Sequence, residues 1–146
     1  MRGRTAQHRA YAAVLTSIAL GGVVGATARH GVSVALPGAP GGWPWATLAV
    51  NVTGCALIGA FMVLVFEGWP THRLLRPFVG VGVLGGYTTF STYTVDVLGL
   101  VDGGRPLGAL AYLSATVVGA LGAVLLAVVA TRALVTSTAP RRGGAS

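Results

Sequence analysis

The chain has 146 residues, of which ten are Arg, three are Asp or Glu and none is Lys; 53% are hydrophobic and the mean hydropathy is +0.75. Soluble domains carry about 25% charged residues, so a chain with 9% belongs in a membrane. The formal net charge of +7 does not mark a nucleic-acid binder, because the arginines fall in tails and loops and no basic patch is interleaved with exposed aromatics.

In chain order, residues 1–10 form a basic tail with Arg2, Arg4 and Arg9. The first apolar stretch covers about 11–28. Basic residues, an apolar run and "ATA" (26–28) also fit a secretory signal with a small-residue cleavage site. Three further spans follow, however, and Arg29 adjoins the cut, so the stretch is read as a retained first helix. Gly21 and Gly25 give it a small-xxx-small spacing for close helix approach. "LPGAPGGWP" (36–44) then breaks the chain before the second stretch, 45–66. There Thr47, Asn51 and Gly54 share one helix face. Asn51 is either interhelical glue beside a small-residue contact or an amide donor into a pore. Cys55, the single cysteine, rules out an internal disulfide and any multi-Cys metal site; it reads as a packing residue.

After "EGWPTHRLLRP" (67–77), the third stretch covers 77–100 and contains "LGGYTTFSTYTVD" (84–96). Two adjacent glycines cost about 1 kcal/mol each in a helix interior, and the hydroxyls of Thr88, Thr89 and Ser91 suit an N-cap. The sequence therefore predicts two half-helices with a break near Gly85–Thr89. Irregular backbone at membrane depth is tolerated where it is buried in protein or lines a cavity, and discontinuous helices commonly hold ions; a kink for packing is the alternative. Phe90 and Tyr93 project on one face, as core or as ring edges of positive partial charge for a small anion. Thr89, Thr92 and Asp96 line a neighbouring face. The fourth stretch, 106–135, follows "VDGGRP" and carries a second polar pair, Tyr112 and Thr116, with Ala115 and Gly119 for close approach. Each of the four is compatible with the roughly 17–25 apolar residues of a spanning helix, the first marginally and the last with length to spare. Pro77 and Pro106 suit helix first turns, and Trp43, Trp45 and Trp69 fall at span ends as an aromatic belt would place them. Residues 136–146 read as a disordered basic tail. The organisation is a four-helix membrane domain over 11–135 between two tails. No zinc site, phosphate loop or nucleophile triad assembles, so the chain is not an enzyme.

"GGVVGATARH" (21–30), "TLAVNVTGCALIGAF" (47–61) and "GVLGGYTTFSTYTVD" (82–96) resemble the signatures of the fluoride ion channel family, Fluc, also called CrcB, over about residues 12–132. The resemblance implies an all-α subunit of four transmembrane helices with the third broken, acting as an antiparallel dimer that exports fluoride passively through two pores. Residue by residue, it implies that Asn51 is the pore asparagine and that Phe90 and Tyr93 stand where two ring edges face fluoride. Thr47, Tyr112 and Thr116 fall on a polar track, and Asp96 sits where relatives often carry Glu. Arg29 matches an arginine at the end of the first helix that draws anions into a vestibule. Gly85 and Thr88 match positions whose backbone carbonyls hold a structural sodium ion (Na+) at the dimer interface. Two departures stand out: Tyr93 adds a hydroxyl near the pore, and His30 replaces a more usual Tyr, a change expected to matter little.

Two rival functions are weighed against this one. A small dual-topology multidrug transporter needs a carboxylate inside the first span, and there is none. A membrane assembly protein without transport is the other. For the fluoride channel the partners expected are fluoride, membrane lipid and a second chain, with the protein multi-pass in the cell membrane. With four spans, both tails and the 67–76 loop share one side holding eight arginines, against Arg29 and Arg105 on the other. The positive-inside rule then places both termini in the cytoplasm. Such a bias favours a heterodimer with an oppositely oriented homologue over a homodimer.

Overall fold

The computed structural model describes residues 2–39, 42–67 and 73–138. All its regular structure there is helical: α1 (Arg2–Ala35), α2 (Trp45–Glu67), α3, α4 (Ser91–Asp102) and α5 (Pro106–Thr138). α3 is composite, a π-helical segment Arg76–Val83 running straight into one α-helical turn, Leu84–Tyr87. Pro77 sits in its first turn and Pro106 opens α5, where neither removes a hydrogen bond the helix would make. Gly104, with a φ of +73°, makes the tight α4–α5 turn in a conformation that only glycine adopts freely.

α1, α2 and α5 are each long and apolar enough to cross a bilayer, while the third crossing is the broken α3–α4 pair. The protein is thus a multi-pass membrane protein of helices, one of them bent. Large apolar side chains such as Leu20, Val24, Leu121 and Leu126 lie exposed along α1 and α5, which is the surface lipid requires.

α2 packs most extensively on α5, and α1 on α3. The α1–α3 contact is backbone against backbone. A Cβ on Gly25 would strike the Val83 carbonyl oxygen, and one on Gly86 would lie 2.6 Å from the Gly22 carbonyl oxygen. Small residues allow this approach, and van der Waals contact between close backbones drives helix association where lipid removes the hydrophobic effect. The Glu67–Arg132 ion pair, 2.6 Å, ties the end of α2 to α5. Nearby, Arg76 donates to the Val65 carbonyl at 3.1 Å and lies over the Phe66 ring.

Three boundaries differ from the sequence reading. α1 does not stop near residue 28 but continues to Ala35, so Arg29 lies inside the helix and not at its end. At 34 residues α1 is about 50 Å long, well over the roughly 30 Å hydrocarbon core, and its described N-terminal part occupies the expected tail. α5 likewise continues through 136–138, where the sequence predicts the start of the disordered tail. The rest of that tail, and Trp69, lie outside the described residues.

Candidate functional site

The interruption falls at Thr88–Phe90, and the glycine pair is not what makes it: Gly85 and Gly86 lie within the α-helical turn before it. Gly86 is there for the close approach to α1, whereas a Cβ on Gly85 would meet nothing in the chain. Thr88 has extended backbone, φ −73° and ψ 157°. Its N–H and its hydroxyl both donate to the Leu84 carbonyl, at 3.0 Å each.

Asn51 holds the break open from α2. Its amide Nδ2 donates to the Thr89 carbonyl and its Oδ1 accepts from the Thr89 N–H, both at 2.9 Å. Thr89 in turn caps α4, its buried hydroxyl oxygen accepting the Thr92 N–H at 3.1 Å, as an N-cap threonine does. These bonds decide which carbonyls are released. A continuous helix would return the Thr89 N–H to the Gly85 carbonyl and the Thr92 N–H to the Thr88 carbonyl. The Asn51 side chain takes the first donor and the Thr89 hydroxyl takes the second. Gly54 completes the arrangement, since a Cβ there would strike the Thr88 methyl.

On one side of the break a cavity of about 260 Å³ is lined by Asn51, Cys55, Thr89, Phe90, Tyr93 and Thr116. Phe90 projects from the subunit, 78% exposed, while Tyr93 is buried, their ring centroids 5.9 Å apart. The Tyr93 hydroxyl is directed to the Leu113 carbonyl of α5 at 3.1 Å, which gives the residue a tie between helices that a phenylalanine would lack. Thr116 donates its one proton to the Tyr112 carbonyl at 2.8 Å, leaving only acceptor lone pairs. Tyr112 has no exposed surface; it packs 5.7 Å from Tyr93 and edge-on to Trp43 at 5.9 Å. Its hydroxyl donates to the Asp96 carboxylate at 3.3 Å. Asp96 itself lines a separate open cleft with Gly42, Pro44 and Val95.

On the other side a polar cavity of about 200 Å³ is bounded by Arg29, His30 and Ser33 of α1, Thr47 of α2, and Thr89 and Thr92. Thr89 lines both cavities, so the clamped peptide stands between them. The structure therefore gathers Asn51, Phe90, Tyr93 and Thr116 around one cavity and Arg29 with Thr47 around the other. Tyr112 and Asp96 form a hydrogen-bonded pair alongside, and Gly85 lies apart on an open face.

A profile described as CrcB-like protein, Camphor Resistance (CrcB), matches residues 16–128. The chain belongs to this family. CrcB relatives include the "Fluoride-specific ion channel FluC 2" of Streptomyces avermitilis, 56% identical over 115 residues, which are 79% of this chain and 72% of the relative. The "Fluoride-specific ion channel FluC 2" of Nocardia farcinica is 55% identical, covering 82% and 86%. The "Fluoride-specific ion channel FluC 1" of Streptomyces coelicolor is 54% identical, covering 85% and 80%. The CrcB match contains every residue of both cavities. Two features of them are not legible in the sequence: the capture of the Thr89 peptide by Asn51, and the place of His30 in the wall of the Arg29 cavity. The first needed the 38-residue separation to be closed in space. For the second, the sequence shows an ionisable residue next to an arginine, but not a cavity wall.

Proposed function

We propose that this chain is a fluoride-specific channel that lets cytoplasmic fluoride leave down its gradient, relieving fluoride toxicity, and that the ion path runs past the Asn51–Thr89 clamp. Membership of a family whose relatives are named fluoride-specific channels supports the ion. One observation carries the path: a helix held open at membrane depth by an amide, with a polar cavity on one side of the held peptide and, on the other, a largely apolar one walled by Asn51, Phe90 and Tyr93. The Asn51 amide has two N–H donors and Thr89 takes one, so the other is available to an anion. The Phe90 ring edge adds weak positive charge, which attracts fluoride without trapping it. Arg29, always charged, raises the anion concentration at the vestibule. Thr116 helps an anion only after its hydroxyl turns from the Tyr112 carbonyl.

The working unit in this reading is an antiparallel dimer. Lipid offers nothing to the exposed polar groups of Ser91, Thr92 and Thr94 around the break, and Phe90 and the bare Gly85 share that region. A two-fold axis near Gly85 would give two equivalent ion paths. It would also bring the released Gly85 and Thr88 carbonyls of both chains together, an all-oxygen set of the kind hard cations take; sodium would supply charge that fixes the two chains to each other. Eight arginines on the side of the termini against two favour cytoplasmic termini and an oppositely inserted partner. Streptomyces avermitilis has two of the relatives, numbered 2 and 3, so such chains coexist in one organism.

Fluoride efflux from liposomes holding the purified chain, alone and with a homologue, tests the function. Selective fluoride release supports it. Its absence in both preparations would leave the non-transporting reading, and proton-coupled export of a cationic drug would select the transporter.

A further inference from the structure

The vestibule cavity contains one ionisable group that the fluoride path has not used. His30 follows Arg29 on α1 and lines the same cavity, together with Thr47 and Thr92. Arg29 is half-buried and His30 exposed. None of the residues lining this cavity is a carboxylate. The charged groups around it are few. α1 contributes Arg29; α2 and the break contribute none; α4 contributes Asp96, one turn beyond Thr92, whose carboxylate accepts from Tyr112 and lines a different cleft. Asp102 and Arg105 belong to the same end of the molecule but not to the cavity wall.

We infer that His30 is an anion-entry residue of this chain, one that makes fluoride conduction rise as pH falls. A neutral imidazole has one N–H donor and one lone pair that repels an anion; a protonated one has two donors and a full charge. Histidine is the side chain whose charge changes between about pH 5 and 8. A protonated His30 would add a second positive charge to the one that Arg29 brings to the cavity. Positive charge in a cleft with low-dielectric walls concentrates anions and raises their rate of entry. A tyrosine in this position gains no charge over that range.

This inference rests on the channel reading, and the experiment separates the two. Fluoride current through the assembled protein is measured in a planar bilayer at symmetric pH 8 and pH 5.5, where neutral hydrogen fluoride carries no current. The wild type is expected to conduct at both and to gain about threefold at the lower pH, the effect of one added charge several ångströms away in a wet site. His30→Tyr should conduct with a flat pH response, and His30→Lys should be high at both. Asp96→Asn should keep the rise. A rise that survives in His30→Tyr, a flat wild type, or a rise abolished by Asp96→Asn overturns the role of His30 while leaving the channel standing. No fluoride current in the wild type at either pH overturns both.

Discussion

Replacing Asn51 by Asp tests the clamp and the ion path with a single atom change. The side chain keeps its shape, and its remaining oxygen can still accept the Thr89 N–H at about the 2.9 Å seen for Oδ1. The other prong fails, because a carboxylate oxygen would face the Thr89 carbonyl where Nδ2 now donates. Losing that bond and leaving a buried carbonyl unsatisfied costs about 1–3 kcal/mol, which the α1–α3 and α2–α5 packing should absorb. The cost to an anion is larger. At an effective dielectric of about 20, a carboxylate about 5 Å from fluoride repels it by about 3 kcal/mol, which slows passage about two-hundredfold. Efflux from fluoride-loaded proteoliposomes, read with a fluoride electrode, measures the rate, while gel filtration and circular dichroism check assembly and helicity. Asn51→Ala removes the clamp without adding charge and should fall between the two. Efflux near the wild-type rate from folded, assembled Asn51→Asp would refute both the donor role and the placement of the path.

Phe90→Ile keeps apolar bulk at a side chain that the subunit leaves exposed, so helicity and assembly should survive while fluoride efflux drops about tenfold through loss of the ring edge; normal efflux would make the ring a packing residue only. Tyr93→Phe should lose the bond to Leu113 and about 1 kcal/mol of stability, seen as a lower Tm, with efflux little changed; a large change in efflux would place the hydroxyl in the path. Gly85→Val and Gly86→Val should part company. The first has open space within the chain and should fold but fail to dimerise, whereas the second collides with the Gly22 backbone and should not fold at all; equal behaviour of the two in chemical cross-linking and circular dichroism would defeat the assignment of Gly85 to the interface. For orientation, in a Cys55→Ser background, single cysteines in each tail should be protected from an impermeant thiol reagent added outside, and efflux should appear on co-expression with an oppositely biased homologue. Equal labelling of both orientations with full activity from this chain alone would show that no separate partner is needed.

Class, number of crossings and approximate position of the interruption are all legible in the amino-acid sequence, because each depends on composition or local chemistry. A mean hydropathy of +0.75 leaves no soluble alternative, prolines and glycines mark the turns, and threonine hydroxyls announce a cap wherever they cluster before a helical run. The sequence also singles out Asn51, since an amide in an apolar span must find a partner. What it could not decide was which partner, and that choice sets the site. The glycine pair looked like the breaker from helix propensity alone, yet tertiary packing uses Gly86 for backbone contact with α1 and leaves Gly85 facing outward. The break instead lies three residues on, where an asparagine 38 positions away takes both hydrogen-bonding groups of Thr89. The length of α1 escaped for a similar reason: Arg29 and His30 look like an end when hydropathy is averaged along the chain, but helix hydrogen bonds continue past them. Only the folded molecule brings that continued turn of α1 against Thr47 and Thr92, and so turns two neighbouring basic residues into the wall of a vestibule.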